Sequence, residues 1–277
     1  MTAVSRHRKN HQFQLTRDYD RVWTAFRENV NHKNYIQHRR RNRARYYNII
    51  LKYLNGLPAP TVLELGCGTG IDLNVIASKE KKNKYLGSDI SEESIVTSLH
   101  ITEKFNNSIY FFAADTRYLP LRNRSLDLIF SQGLLEHFRD PVVIVEEQVR
   151  VLKRGGILII NVPQRYTAYT FMKHKLMRQG KWELGWETEF SYKDLKKMSR
   201  ELDLLEMEIC GYQYWRSWWE PMFVLRDLYD KYHRRNPLRE RKSFLVIKHI
   251  YDSLWEKIES KLGHYFSQNI VIVLQKT

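Results

Sequence analysis

The sequence predicts a doubly wound α/β fold, and three observations carry that prediction. Short apolar runs alternate with amphipathic stretches through the middle of the chain. A glycine-rich turn follows the first of those runs at once. Runs such as Gly156-Ile157-Leu158-Ile159-Ile160 and Ile270-Val271-Ile272-Val273-Leu274 are nearly continuous in apolar character, as strands covered on both faces must be. Met1 to Gln12 is polar, basic and without periodicity, and is expected to fray. From Tyr19 to Leu54 the pattern is helical, with Val22, Trp23, Phe26 and Val30, then Ile36, Tyr46, Ile49, Ile50 and Tyr53 marking apolar faces, until Asn55-Gly56 and Pro58 end it. Thr61 to Leu65 reads as a buried strand. Strand-like and helix-like segments then alternate: Tyr85 to Ile90, Glu92 to Lys104, Ile109 to Ala113, Leu126 to Ser131, Val142 to Leu152 and Gly156 to Val162. Beyond Pro163, Tyr166 to Trp186 is aromatic and basic, Tyr192 to Leu202 is helical in pattern, and Leu205 to Tyr212 fits a strand. Two amphipathic stretches, Glu220 to Arg235 and Ser243 to Leu262, precede a terminal strand at Ile270 to Leu274.

Composition narrows the class. The chain of 277 residues is 43% hydrophobic and 28% charged, enough to bury a full core and inconsistent with wholesale disorder. The longest apolar runs fall far below the roughly 18 residues of a membrane span, and the charged N-terminus has no apolar stretch behind it, so a cytoplasmic protein is expected. Two cysteines, Cys67 and Cys210, supply neither a disulfide framework nor a metal-binding spacing, and no metal is expected. The net charge of +15 is concentrated: residues 1–60 hold 13 Lys or Arg against three acids. That field favours an anionic partner, whether a phosphate-bearing substrate, an acidic membrane surface or nucleic acid, or else simply solvates a basic helix.

The turn after the first strand reads Val62-Leu63-Glu64-Leu65-Gly66-Cys67-Gly68-Thr69-Gly70. Closely spaced glycines between a strand and a helix let backbone approach a ligand, because residues without Cβ adopt positive φ and leave room. A dinucleotide fingerprint would place its third glycine at position 71, which is Ile71. A second acid, Asp89, ends the strand Tyr85-Leu86-Gly87-Ser88 about 20 residues on, where a carboxylate accepts both hydroxyls of a ribose, with Ile90 then lying against the adenine face. A third acid, Asp115, closes the strand Phe111-Phe112-Ala113-Ala114.

This G-x-G-x-G preceded by an acid, Glu64, resembles motif I of class I S-adenosylmethionine-dependent methyltransferases. The resemblance continues through Asp115-Thr116-Arg117-Tyr118-Leu119-Pro120, through Ser125 to Phe138 and through Glu147 to Gly156, and covers about residues 40–165. Both later stretches look like the fourth strand and the helix-to-fifth-strand turn of small-molecule methyltransferases, the group containing the ubiquinone and menaquinone enzymes. It implies S-adenosylmethionine as cofactor, bound by Glu64, Gly66, Cys67, Gly68, Gly70, Asp89, Ile90, Asp115, Thr116, Ser131 and Gln132. Asp115 would bind the adenine amino group, and main-chain groups at Ser131 and Gln132 the methionine portion. Cys67 reads as a small packed residue rather than a nucleophile.

The expected architecture is a seven-stranded, mostly parallel sheet with an antiparallel last strand. Residues 1–55 form a basic helical lid, 56–212 the cofactor-binding domain, 213–265 a helical insertion that shapes the acceptor site, and 266–277 the last strand. His137, just after the fourth strand, is the candidate general base; equally, it caps or packs on its short helix. Ser131-Gln132-Gly133-Leu134 stands where an Asn or Asp-Pro-Pro-aromatic motif would mark methylation of exocyclic or amide nitrogens, and there is no Pro-Cys pair of a cytosine C5 enzyme. The acceptor is therefore expected to be a hydrophobic or anionic small molecule, lipid-linked molecules included, methylated on O, C or N. Tyr212 to Trp219 packs five aromatics into eight residues and, with the two amphipathic stretches, fits peripheral membrane contact as well as core packing. Tyr19, Trp23 and Tyr46 either contact ligand or staple the lid to the sheet. An RNA methyltransferase and a non-catalytic S-adenosylmethionine-binding module are the rival readings.

Overall fold

The computed structural model describes residues 20, 21, 23–28, 32–181, 187–212, 229, 231, 246, 249, 250, 253, 254, 257–259 and 261–277. The elements in order are α1 (His32–Asn42), α2 (Ala44–Leu54), β1 (Thr61–Leu65), α3 (Ile71–Lys79), β2 (Lys84–Asp89), α4 (Glu92–Glu103), β3 (Ile109–Ala113), β4 (Leu126–Gln132), α5 (Pro141–Val151), β5 (Leu152–Pro163), α6 (Ala168–Arg178), α7 (Tyr192–Glu201), β6 (Leu204–Tyr212) and β7 (Asn269–Lys276). Short 3₁₀ turns lie at Leu135–His137 and Gly263–Tyr265. Residues 20, 21 and 23–28 are helical as well.

Seven strands form one sheet in the order β3-β2-β1-β4-β5-β7-β6. β1 lies between β2 and β4 and is parallel to both, so the strand order reverses direction there and a crevice opens at the carboxyl ends. β7 inserts between β5 and β6 and runs antiparallel to each, pairing Ile160 with Ile272 and Ile209 with Ile272. This is the mostly parallel sheet with a reversed last strand that the sequence predicts.

Alternation along each strand divides the core in two. Val62, Phe130, Ile159, Val271 and Val273 face one layer, where they meet Tyr46, Ile50, Leu54 and Ile76. Leu63, Leu65, Ile129, Leu158, Ile160 and Ile272 face the other, against Ile144, Leu195 and Met198. Each such side chain contributes roughly 1.5–3 kcal/mol relative to exposure. Helix starts are capped locally. The Ser91 hydroxyl accepts from the Ser94 N–H at 3.1 Å, and Ser191 with Asp194 closes a capping box at α7.

Some expectations change. The helical pattern of Tyr19–Leu54 is broken at Arg43, whose backbone (φ −110°, ψ 8°) leaves the helical region between α1 and α2. The aromatic, basic stretch after Pro163 contains α6, started by the Thr167 hydroxyl accepting from the Thr170 N–H. β5 begins at Leu152 rather than Gly156, with a register irregularity opposite Leu126 and Leu128 and a positive φ of 72° at Gly155. All but residues 229 and 231 of the predicted stretch Glu220–Arg235, and most of the 213–265 insertion, lie outside the described residues.

Candidate functional site

Gly66, Gly68 and Gly70 have φ of 66°, 53° and 65°, so all three glycines of the turn sit in the left-handed region that side chains disfavour. A Cβ on Gly68 would also come within 2.9 Å of the Trp23 ring, and one on Gly70 within 3.0 Å of the Ser98 side chain. The turn is held by its neighbours. The Cys67 N–H donates to the Ser88 carbonyl at 3.0 Å, and the hydroxyls of Ser94 and Ser98 donate to the Gly68 carbonyl at 2.7 and 2.8 Å.

Asp89 meets this turn directly. Its Oδ2 accepts from the Gly68 N–H at 2.9 Å and its Oδ1 from the Ser91 N–H at 3.1 Å. Burial raises its pKa while those N–H groups pull the other way. Its carbonyl accepts from the Ala114 N–H at 2.8 Å, which ties the end of β3 to the end of β2 and sets Asp115 at the same edge. Asp115 faces Arg117, with Nε 3.0 Å from Oδ1 and Nη2 2.6 Å from Oδ2. Gly68, Asp89 and Asp115 therefore lie at one edge of the sheet, at the carboxyl ends of β1, β2 and β3.

Other sequence-predicted residues fall into two groups. Ser131, Thr116 and the adjoining Thr69 are buried, and their hydroxyls find no hydrogen-bond partner. Buried hydroxyls are rarely left so, and three of them at the carboxyl ends of β1, β3 and β4 fit a polar ligand. Ile90 and Gln132 are half-buried beside them. Glu64 and Cys67 act within the fold. Glu64 Oε2 accepts from the Leu73 N–H at 3.0 Å in the first turn of α3, and burial, then Asp72, push its pKa up. Cys67 is buried, and burial followed by the Asp89 charge raises its thiol pKa, so it is not a thiolate. With the glycine turn, the Asp89 carboxylate and the unpartnered hydroxyls together, the residues present fit S-adenosylmethionine.

Sequence reasoning missed two clusters. Asp72, on α3, accepts from the Tyr47 hydroxyl at 2.6 Å and from Arg39 Nη1 at 3.3 Å, and pairs with Arg43. Burial alone would raise its pKa, but Arg43 and Arg39 outweigh that and lower it. Part of the basic N-terminal field is thus spent on docking α1 and α2. The signal was present as arginines spaced along a helix, but no periodicity names a partner on α3.

The second cluster surrounds His137. Burial lowers the His137 pKa, leaving a neutral ring at physiological pH. Its neighbour Glu136 is buried, with Oε2 unpartnered, and burial raises its pKa to about 8. Lys173, fully buried on α6, pairs with Glu187 at 3.2 Å and with Glu189, which also meets His174 at 2.9 Å. The Thr188 N–H donates to the Glu136 carbonyl at 2.8 Å, so this ionic cluster stands at the end of β4, beside the crevice. Tyr46 is buried in the core, stacked on Tyr212 with centroids 5.9 Å apart and donating to the Ser131 carbonyl at 2.9 Å. Trp23 lies over Gly68, and Tyr19 is outside the described residues. Among the described residues no His, Cys, Asp or Glu group is arranged to hold a metal.

Residues 63–160 match the methyltransferase domain family. The chain is 31% identical over 119 residues to an uncharacterised 37.1 kDa transposon protein of Streptomyces fradiae, covering 43% of this chain and 34% of that one. It is 27% identical over 175 residues to a ubiquinone biosynthesis O-methyltransferase of Nitrosomonas europaea, covering 60% and 73%. It thus spans about a third of the first relative's length. The structure of an S-adenosylmethionine-dependent methyltransferase from Thermotoga maritima shares the fold, with a TM-score of 0.55 at 18% identity over 92% of this chain and 99% of that one. A glycine turn, a buried acid at the end of β2 and a strand-order reversal at one edge lie inside the matched stretch: residues 63–160 are a methyltransferase domain, similar to those of S-adenosylmethionine-dependent methyltransferases.

Proposed function

We propose that the chain transfers a methyl group from S-adenosylmethionine to oxygen, carbon or nitrogen of a hydrophobic or anionic small molecule, lipid-linked acceptors included. The observation that carries the reading is the convergence of Gly68, Asp89 and the unpartnered hydroxyls of Thr116 and Ser131 at one sheet edge. When bound, the cofactor supplies an electrophilic methyl group on a sulfonium sulfur. The chain's own task is alignment and exclusion of water.

In this reading Asp89 accepts the ribose hydroxyls, Ile90 lies beside the adenine, and Asp115, shared with Arg117, accepts from the adenine amino group. Thr116 completes that side of the pocket. The backbone of Gly66, Cys67, Gly68 and Gly70 leaves room for the nucleoside, and Ser131 and Gln132 hold the amino-acid portion. Glu64 supports from one step behind, by holding the first turn of α3. His137, kept neutral by burial, takes the acceptor's proton where the attacking atom carries one. Residues 1–55 act as a lid, and 213–265 shape the acceptor side with peripheral contact to a membrane.

A relative named for ubiquinone O-methylation supports a hydrophobic acceptor. The basic N-terminus is the ground for an RNA acceptor, but Arg39 and Arg43 face Asp72 and Arg27 faces Glu93, which favours the small molecule. Calorimetry with S-adenosylhomocysteine, followed by methyl-deuterated cofactor with a panel of phenols, quinols and carboxylic acids, tests the reading by mass spectrometry of labelled products. No binding of S-adenosylhomocysteine would overturn it. Binding without any labelled product across the panel would favour the non-catalytic module.

A further inference from the structure

We infer that the exposed side chains of Val246, Ile250, Leu254, Ile258 and Leu262 and the outward face of α6 together seat the chain on an anionic lipid bilayer at the edge where the crevice opens. The inference deepens the hydrophobic-acceptor reading above and rests on it only for its purpose, not for its test.

Val246, Ile250, Leu254, Ile258 and Leu262 recur every four residues and are each exposed, at 59%, 55%, 55%, 43% and 50%. All five are helical, and residues four apart lie along one side of a helix. Lys257 and Lys261 are exposed in the same stretch. The opposite side is anchored: Glu259 is buried, accepts from the Ser267 hydroxyl at 3.0 Å and faces Arg45 at 3.5 Å. The aliphatic row therefore points away from the domain because its inner face is already committed.

α6 repeats the design. Lys173 is turned inward to Glu187 and Glu189, while Phe171 is 70% exposed, with Lys175 and Arg178 exposed on the turns that follow. The start of α6 and the end of the 246–262 stretch meet. The Gln164 side chain donates to the His264 carbonyl at 3.1 Å and its N–H to the Gln268 carbonyl at 2.8 Å, joining the approach to α6 to the exit from residues 246–262. Both lie at the carboxyl end of β5, the same sheet edge as Asp89 and Ser131.

An aliphatic row flanked by lysines, with aromatic and arginine neighbours, is the pattern of a helix lying in a membrane interface, where long basic stems reach back to headgroups. Charge decides the occupant. The stretch itself is mixed, with Asp252 and Glu256 in sequence beside Lys257 and Lys261, but a second copy would bring +15 against +15 and set Lys175 and Arg178 against their own kind, whereas an anionic leaflet complements that net charge.

The test is co-sedimentation of the full chain with vesicles of phosphatidylcholine alone and of phosphatidylcholine mixed with phosphatidylglycerol. The wild type is expected to partition onto the mixed vesicles and not onto phosphatidylcholine, and to release as salt rises. Leu254→Glu with Ile258→Glu, on a surface that buries neither, is expected to cut partitioning about tenfold or more. Leu205→Glu, equally exposed but at the opposite end of the sheet, is expected to leave it unchanged. No partitioning by the wild type, equal partitioning onto both vesicle types, or undiminished partitioning by the double variant would overturn the inference. So would a wild-type dimer in light scattering that the double variant abolishes while vesicles are ignored, since the row would then be a self-interface. S-adenosylhomocysteine calorimetry on the same preparations separates the two readings: it reports the crevice whatever the vesicles do.

Discussion

At the scale of single residues the crevice turns on Asp89 and Glu136, two buried carboxyls with opposite circumstances. Asp89 has a backbone N–H on each oxygen, so its charge is stabilised where it can also accept from a ligand. Asp89→Ala is expected to weaken S-adenosylhomocysteine binding by about 2–4 kcal/mol, read by calorimetry, with Asp89→Asn falling between the two. Unaltered affinity in the alanine variant would remove Asp89 from the site. Glu136 has an unpartnered oxygen and a pKa raised to about 8 by burial. A folded pKa above the unfolded one means the folded state binds more protons, so the stability from this group is complete below about 4.5 and is lost as pH rises to about 8. Glu136→Gln stays neutral. Its melting temperature relative to wild type is therefore expected to climb between those pH values, by an amount set by about 1.4 kcal/mol per pH unit per proton at most. A difference independent of pH would show that Glu136 is ionised in the folded chain.

At the scale of elements, what surrounds the crevice is secured by contacts between segments distant in sequence. β6 crosses the 3₁₀ turn Gly263–Tyr265 so closely that a Cβ on Gly211 would run into the backbone of Gly263. Gly211→Ala is expected to destabilise by several kcal/mol, read as a lowered denaturation midpoint, because backbone on both sides cannot yield as a side chain can. A change within about 0.5 kcal/mol would mean that the two segments separate freely. α6 depends on Lys173, whose ammonium lies between Glu187 and Glu189 with no exposure. Lys173→Met removes the cation but leaves both carboxylates, and a loss of about 3–5 kcal/mol in urea unfolding is expected. Retained stability would show that those carboxyls find water or protons instead.

At the scale of the whole molecule, the N-terminal helical residues reach across the sheet edge. Asp20 pairs with Ser91, Arg27 with Glu93 at 2.8 Å, and Trp23 covers Gly68. These contacts are with the glycine turn and with the cap and first turn of α4. Trp23→Ala is thus expected to change the dissociation rate of S-adenosylhomocysteine about threefold or more in stopped flow while moving the melting temperature little. An unchanged rate with a lowered melting temperature would make Trp23 a packing residue. No helix among the described residues is long and apolar enough to cross a membrane.

The division between sequence and structure follows the range of the forces involved. Alternating apolar runs, the glycines at 66, 68 and 70 and the acids at 64, 89 and 115 were legible because strand burial and backbone freedom are local demands that a single stretch of chain must meet by itself. The strand at Ile270–Leu274 followed from the same local pattern, but its reversed direction is fixed by its pairing with β5 and β6. Partnerships were not legible: that Arg39 and Arg43 serve Asp72, that Asp115 faces Arg117, that Glu64 holds the start of α3, and that Lys173 gathers Glu187 and Glu189 beside Glu136. A charge or hydroxyl takes its role from whatever the fold brings within about 3 Å, and in a buried setting that choice decides its protonation. The sequence by itself determined a basic chain of alternating strands and helices with a glycine turn and strand-end acids; only the tertiary structure decided which charges are consumed inside it and which remain on the surface beside the crevice.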